Sequence, residues 1–311
     1  MSEKDTFYSE AFQRNIGILT EEKQERIKNA TVAIAGLGGV GGIHATTLVR
    51  TGFTRFHIAD FDTYSLVNFN RQTGATIHTL GKNKADSIKD LILSINPYAE
   101  VTIFAEGITE SNIDDFLQNV DIAVDGIDFF CIEPRRLLFR KAREKGIYAV
   151  TAGPIAFGSC ILVFDPKGMS FDTYMDINDA MPDQQKLLHF GLGVSPSLLQ
   201  ASYFRPDSIN WKEGEHRAPS LCVGTLLSSN LVVVEVIKII TGELKRVKCV
   251  PHSLHFDPYV RKLKRVWMPF GNRNPIQRIK FVIIQFLMKK KLLKNEDTKL
   301  QSSFMGIGWL V

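Results

Sequence analysis

The sequence predicts an α/β protein with a doubly wound, mixed β-sheet and helices on both faces of that sheet. Two observations indicate this class: strand-like and helix-like hydrophobic patterns alternate along the first half of the chain, and a glycine-rich turn separates the first strand from the helix after it. The chain has 311 residues, of which 44% are hydrophobic and 23% are charged. Such a chain can bury a large core, so overall disorder is excluded.

The alternation can be followed element by element. An apolar run at 31–35 predicts a short buried strand, and the glycines after it lead into a helix over 39–51. Further strands are predicted at 55–60, 100–105, 120–125, 148–151 and 158–164, and further helices at 82–96, 111–118 and 133–145. Pro97 ends the helix at 82–96, because proline has no N–H group with which to continue it.

The second half of the chain is less regular. Residues 169–220 are polar and repeatedly interrupted by proline, which predicts a loop-rich insertion. A helix pattern returns over 223–241 and stops at Gly242, and the segments 247–256 and 260–268 then predict a hairpin. These elements indicate one domain over residues 1–268, followed by a tail over 269–311.

The tail is strongly basic. Eleven Lys and Arg residues and no acidic residue lie between Pro258 and Asn295, although the whole chain has a net charge of only +5. The apolar residues of the tail recur at helical spacing, at Ile276, Ile279, Ile283, Phe286 and Leu287. Such a helix can lie on an anionic membrane or on RNA. Alternatively, its apolar stripe packs on the core and its lysines are merely solvated.

The glycine-rich turn, Gly36-Leu37-Gly38-Gly39-Val40-Gly41-Gly42, is suited to binding a phosphate group. Its small residues let backbone N–H groups approach a phosphate at the positive end of the following helix. Asp60 ends the second strand, where an acid can hold a ribose hydroxyl; dinucleotide oxidoreductases share these two features. Two cations beyond Asp60, Arg71 and Lys84, favour a triphosphate instead.

Three further motifs follow the turn in order: Asp60-Phe61-Asp62, Asn68-Phe69-Asn70-Arg71-Gln72 and Asp125-Gly126-Ile127-Asp128. Together with the turn, they resemble the ThiF/MoeB/HesA family, relatives of the ubiquitin-activating enzymes, which adenylate carboxylates with ATP. The resemblance covers roughly residues 8 to 260 and implies a Rossmann-like fold.

The resemblance also implies roles for single residues. The nucleotide would be bound by Gly36, Gly38, Gly39, Gly41, Asp60, Asp62, Asn68, Arg71 and Lys84. Arg71 and Lys84 would also take up charge during catalysis, and Asp128 would hold Mg²⁺. Within Phe12-Gln13-Arg14-Asn15, Arg14 would be lent to the active site of a partner subunit, which implies a homodimer.

The sequence therefore favours a homodimeric, ATP- and Mg²⁺-dependent adenylyltransferase. The family's commonest acceptor is the C-terminal glycine of a ubiquitin-like or sulfur-carrier protein. A second acceptor remains open, because the Asn-Phe-Asn-Arg-Gln motif followed by Thr79-Leu80-Gly81-Lys82 looks like the branch that dehydrates threonylcarbamoyladenosine in tRNA. A third possibility is a nucleotide-binding scaffold that has lost catalysis.

The cysteines offer weaker signals. Cys222 lies at the start of a predicted helix, where the helix dipole lowers a thiol pKa, but a buried, inert thiol is the commoner case. The Cys-x-x-Cys pairs that hold zinc in many family members are absent from this sequence. Cys249, His252 and His255 would alternate between the faces of a strand, so no zinc is expected.

The cellular compartment follows from what the sequence lacks. We see no export signal and no apolar run of transmembrane length. The four cysteines are far apart, so we expect them to be reduced rather than bridged. These observations predict a cytoplasmic protein.

Overall fold

The computed structural model describes residues 2–204, 208–210 and 217–286. The strands within these ranges are β1 Thr31–Ala35, β2 Arg55–Ala59, β3 Glu100–Phe104, β4 Ile122–Asp125, β5 Tyr148–Ile155, β6 Gly158–Phe164, β7 His252–Asp257 and β8 Lys262–Trp267. The helices are α1 Glu3–Ala11, α2 Glu21–Asn29, α3 Gly41–Arg50, α4 Lys84–Ile95, α5 Ile113–Phe116, α6 Ile132–Glu144, α7 Phe171–Met175, α8 Asp183–Gly193 and α9 Cys222–Ile240. Residues 275–286 form a further helix, called the C-terminal helix below.

The strands form one mixed sheet of eight, in the order β3-β2-β1-β4-β5-β6-β7-β8. The first five are parallel, and the last three pairings are antiparallel. The strand order reverses between β1 and β4, which is where open α/β sheets bind their ligands. The predicted doubly wound fold is confirmed.

Each face of the sheet carries its own core. Side chains alternate along β1, so Val32 and Ile34 pack in the core that includes α3, α4 and α9, whereas Ala33 and Ala35 pack in the core that includes α5 to α8. Small residues on the second face let its helices approach the sheet closely. Helices therefore cover both faces, as the alternating sequence pattern predicts.

Helix α9 corrects one expectation. Its mean hydropathy of 1.8 over 19 residues makes it long and apolar enough to cross a membrane by length and composition alone. In this fold it packs against β5, β6 and α3, and it buries Val232, Val233 and Val236. An apolar helix in the core of an α/β domain passes the same composition test as a membrane span.

The insertion is more regular than the sequence indicates. Two helices, α7 and α8, lie within the segment 169–220 that was expected to be loop-rich. Ser170 caps α7 by accepting the N–H of Thr173, and Pro182 directly precedes α8. Proline is well tolerated at a helix start, so it marks a boundary here and does not interrupt a helix.

The C-terminal helix does not pack its apolar stripe on the core, which was one of the two alternatives left open by the sequence. Asn274 caps it by accepting the N–H of Ile276 at 3.0 Å, and the helix then buries Gln277 and Phe281. The predicted apolar stripe lies outward: Ile276, Ile279, Ile283 and Phe286 are all at least 52% exposed. Leu287, the last residue of that stripe, lies outside the described residues.

The reason lies at the end of α8 and in the loop after it, where two backbone carbonyls accept hydrogen bonds from side chains of this helix. Gln277 donates to the carbonyl of Leu192 at 3.4 Å, and Lys280 donates to the carbonyl of Pro196. The Phe281 ring packs on the His189 ring with their centroids 4.2 Å apart. Hydrogen bonding to these carbonyls therefore decides which face of the helix is buried.

This orientation can be tested by substituting one residue on each face. We expect Phe281→Ala to lower the free energy of unfolding by about 3 kcal/mol, because it removes a buried ring. The control Ile279→Ala should change it by less than about 0.5 kcal/mol, because that side chain is exposed. Urea denaturation measures both; a larger loss in the Ile279 variant would show that the helix packs in the other orientation.

Candidate active site

The site begins where three parallel strands end side by side. Ala35 of β1 is in register with Ala59 of β2 and with Asp125 of β4. The N–H of Gly36 donates to the carbonyl of Ala59 at 2.8 Å, and the N–H of Gly126 donates to the carbonyl of Ala35 at 2.7 Å. The glycine turn, Asp60 and the segment after β4 therefore meet at one edge of the sheet.

The glycines of the turn have two different structural roles. Gly36 has φ +83°, and a Cβ atom there would lie 2.5 Å from the carbonyl oxygen of Gly126. A Cβ on Gly41 would lie 1.8 Å from the carbonyl oxygen of Gly36. These two positions exclude any other residue, whereas at Gly38 the nearest atom to a Cβ would be 3.7 Å away. Gly36 and Gly41 allow close packing, and Gly38 leaves space at the cavity.

Asp60 organises the loops around it. Its carboxylate accepts the N–H of Leu37 at 2.6 Å and the N–H of Asp62 at 2.9 Å. The residue is only 8% exposed, and burial raises its pKa despite these bonds. Asp60 thus holds the glycine turn and the loop after β2 in fixed positions, besides lining the cavity.

The two predicted cations line the same cavity as the turn. Lys84, the first residue of α4, is buried and donates to the carboxylate of Asp62 at 2.8 Å. Arg71 is half-buried and donates to the carbonyl of Val67 and to the side chain of Asn70. A triphosphate would offer both cations more strongly charged acceptors than these local partners.

The acid that ends β4 and the acid in the loop after it differ in how accessible they are to a ligand. Asp125 is 2% exposed and forms an ion pair with Arg135, with Nε 2.7 Å from Oδ2. Asp128 is exposed on the cavity wall, and its Oδ1 accepts the N–H of Phe130 at 3.0 Å. Of this pair, Asp128 is therefore the acid that an incoming cation can reach.

Three predicted site residues, Gly41, Asn68 and Arg14, do not line the described part of the cavity. Asn68 is buried and caps the short helix Leu66–Asn68, where its side chain accepts the N–H of Ser65. It shapes the loop that presents Arg71. Arg14 is exposed on the turn Gln13–Asn15, and within one subunit it is not among the described residues that line the cavity.

The cysteines Cys222 and Cys131 differ in whether they line the cavity. Cys222 is exposed at the first residue of α9 and is not among the described residues that line the cavity. Cys131 does line it, and burial raises the pKa of its thiol. In β7, His252 is exposed whereas His255 is fully buried, so these two side chains lie on opposite faces, as strand geometry requires.

The cavity has a volume of about 520 Å³, which is within the ordinary range for ligand sites. Several lining residues were missed by the sequence analysis, notably Gln72, Arg135 and an apolar group from α8. Gln72 belongs to a motif already noted, but no local signal separates the apolar residues of α8 from ordinary core residues. Only their three-dimensional position reveals them.

Comparison with known proteins identifies relatives that match part of this chain. A tRNA threonylcarbamoyladenosine dehydratase from Bacillus subtilis is 37% identical over 121 residues, which is 39% of this chain and 48% of that protein. A probable adenylyltransferase/sulfurtransferase, MoeZ, from Mycobacterium tuberculosis is 35% identical over 107 residues, which is 34% of this chain and 27% of that protein. Each match spans less than half the length of its relative.

Among solved structures, Escherichia coli MccB with ATP superimposes with a TM-score of 0.58 at 19% identity, covering 82% of this chain and 69% of that one. At that identity the likeness shows the fold alone. The ThiF family model matches residues 12–275, which include every strand and every lining residue of the glycine turn. The chain therefore belongs to the ThiF family.

Proposed function

We propose that this protein is an ATP-dependent adenylyltransferase that activates a carboxylate as an acyl-adenylate. One observation carries the proposal: the glycine turn, the cations Arg71 and Lys84, and the exposed acid Asp128 all line a single cavity at the carboxyl ends of β1, β2 and β4. The ATP complex of MccB and the adenylyltransferase named among the relatives support ATP as the nucleotide.

The reaction needs no proton transfer in its first step, because a carboxylate is ionised at neutral pH. A carboxylate oxygen attacks the α-phosphorus, an O–P bond forms, and the bond from the α-phosphorus to the bridging oxygen breaks. The electron pair leaves with pyrophosphate. Arg71 and Lys84 stabilise the negative charge that accumulates on this leaving group.

The donor chemistry around Asp128 fits Mg²⁺. That cation is usually bound by one or two carboxylates together with phosphate oxygens, and Asp128 provides one accessible carboxylate on the cavity wall. The described residues hold no cluster of three metal-ligating side chains, so the remaining ligands would come from the nucleotide and water. When bound, the cation would neutralise charge on the departing pyrophosphate.

The acceptor is open to two readings within this function. The sequence resemblance favours the C-terminal glycine of a ubiquitin-like or sulfur-carrier protein. The dehydratase from Bacillus subtilis favours threonylcarbamoyladenosine in tRNA, whose carboxylate would be activated by the same chemistry. A nucleotide-binding scaffold without catalysis remains a third alternative, and ATP–pyrophosphate exchange distinguishes it from both.

A homodimer would complete the site. Arg14 is not among the described residues that line the cavity of its own subunit, and it is followed by the exposed apolar residues Ile16 and Ile18. Leu66, Val67, Leu221 and Val223 are also exposed, near the loop that presents Arg71. Apolar surface of this kind is typical of subunit contacts.

The C-terminal region suggests an anionic membrane surface as a further partner. Trp267, Phe270 and the outward stripe of the C-terminal helix are exposed, and β8 next to them exposes Lys262, Lys264 and Arg265. Cations beside aliphatic and aromatic side chains match a lipid interface. RNA offers phosphates but no partner for the aliphatic residues, so tRNA is the alternative outcome.

The role of Asp128 predicts a separation of binding from chemistry. We expect Asp128→Ala to reduce ATP–pyrophosphate exchange about a hundredfold or more, because it removes the carboxylate that would hold the cation. Thermal stabilisation by ATP should persist, and NAD should give none at the same concentration. The exposed Asp115→Ala is the matched control. Full exchange activity in the Asp128 variant would refute its assigned role.

The role of Arg14 predicts complementation between inactive subunits. Mixed Arg14→Ala and Lys84→Ala proteins should regain about a quarter of wild-type exchange, because random pairing makes half of the dimers mixed and each mixed dimer has one whole site. Subunit exchange is verified by native mass spectrometry. If mixed dimers form and stay inactive, Arg14 acts in its own subunit or not at all.

The membrane proposal predicts salt-sensitive binding to anionic vesicles. Combining Lys262→Gln, Lys264→Gln and Arg265→Gln should weaken binding to phosphatidylserine vesicles about a hundredfold, since each cation near such a surface contributes about 1 kcal/mol. Exchange activity should not change, which shows that the fold is intact. Binding to tRNA but not to vesicles would replace the membrane with RNA as the partner.

A further inference from the structure

The cavity is lined by charged groups on one side and by apolar side chains on the other. The turn after β1 and the loops after β2 and β4 contribute glycines and charged groups, whereas α8, the loop after it and the C-terminal helix contribute mainly apolar side chains, joined by Phe129 from the loop after β4. We call this second part the apolar chamber; its walls include Phe129, Leu187, Phe190, Leu192, Phe204 and Ile284. The phosphates and ribose of a nucleotide suit the charged part, whereas the apolar chamber suits an apolar group.

Arg135 lies at the boundary between the two parts. Its Nε donates to Asp125 at the end of β4, and its guanidinium lies 4.2 Å from the centroid of the Phe190 ring on α8. The side chain is 3% exposed and lines the cavity. Its Nη2 donates to the carbonyls of Ile127 and Asp128, but Nη1 has no hydrogen-bond partner among the described residues.

A buried guanidinium nitrogen without a partner is costly, and a ligand that accepts its hydrogen bond recovers that cost. The position of Arg135 selects the kind of acceptor group. A carboxylate placed here would be next to the nucleotide side of the cavity, and the group attached to it would extend among the apolar walls. The unpartnered Nη1 carries two N–H groups, and a positively charged donor of this kind forms strong hydrogen bonds with a carboxylate.

We propose that the acceptor is a carboxylate carried by a bulky apolar group, which occupies the apolar chamber while Arg135 binds the carboxylate. The inference rests on the proposed adenylyltransferase function and narrows its substrate class. A C-terminal glycine would leave the chamber unfilled, because glycine has no side chain. Filling it with a leucine- or phenylalanine-sized group should favour the acceptor by about tenfold to a hundredfold.

Gly191 on α8 provides a matched pair of variants. It lines the cavity, and a Cβ atom there would lie 3.5 Å from Cζ of Phe129, which is an ordinary contact distance. Gly191→Ala should therefore fit without disturbing the fold. Gly191→Leu places four carbons in the chamber, so it should block a bulky acceptor and leave ATP binding unchanged.

The experiment uses the full chain and defined probes. The peptides N-acetyl-Gly-Gly-Phe and N-acetyl-Gly-Gly-Leu are compared with N-acetyl-Gly-Gly-Gly, and the free acids 3-phenylpropanoate and 4-methylpentanoate distinguish a small molecule from a peptide terminus. Calorimetry measures binding in the presence of AMP, and ATP–pyrophosphate exchange measures activation. We expect the apolar probes of one source, either the peptides or the free acids, to bind at least tenfold more tightly than N-acetyl-Gly-Gly-Gly. This preference should be lost in Gly191→Leu and kept in Gly191→Ala.

Arg135→Lys keeps a positive charge beside Asp125 but removes the Nη1 donor. It should raise the KM for the acceptor at least tenfold and leave the KM for ATP unchanged. If this buried substitution prevents folding, the two Gly191 variants still decide the question, because neither alters a charged group.

Equal or tighter binding of the glycine-ended peptide would overturn the inference, as would unchanged binding in Gly191→Leu. Failure of every apolar probe to bind would also overturn it, whatever the exchange assay gives. Failure of the proposed function has a different signature: no acceptor, glycine-ended or apolar, supports exchange although ATP binds. The two failures can therefore be told apart.

Discussion

The close backbone contact between the turn after β1 and the turn after β4 is the constraint on which the site depends. Gly36 and Gly126 can approach each other only because neither has a side chain, and Gly41 meets Gly36 in the same way. This contact fixes where α3 begins and brings the segment that contains Asp128 beside the glycine turn. A single added methyl group here would separate the two halves of the nucleotide site.

The three acids of the site differ in burial and in hydrogen bonding. The carboxylate oxygens of Asp60 and Asp125 accept hydrogen bonds from backbone N–H groups and from Arg135. These two acids therefore position loops and are less available to a cation. Asp128, which is exposed, keeps a carboxylate that a cation could reach. The distinction is one of burial and hydrogen bonding, because the three acids are chemically identical.

Features with a strong local signal could be predicted from the sequence: the strands, the turn and the cations after β2 all follow from short-range patterns. Features that depend on a distant partner could not. The stripe of Ile276 and Ile279 does not reveal that carbonyls at the end of α8 would draw Gln277 inward instead. Likewise, nothing near Asn68 in the sequence distinguishes a ligand-binding amide from one that caps a short helix.

One face of the C-terminal helix lines the cavity and the other is exposed. Ile284 on the inner side is part of the cavity wall, while Ile279 and Val282 on the outer side are exposed. Any ligand of the outer face that shifts the C-terminal helix also changes the shape of the apolar chamber, because Ile284 moves with the helix. Thermodynamic linkage then requires the coupling to run both ways with the same factor, so a molecule held in the chamber would change the affinity of the outer surface for its own ligand.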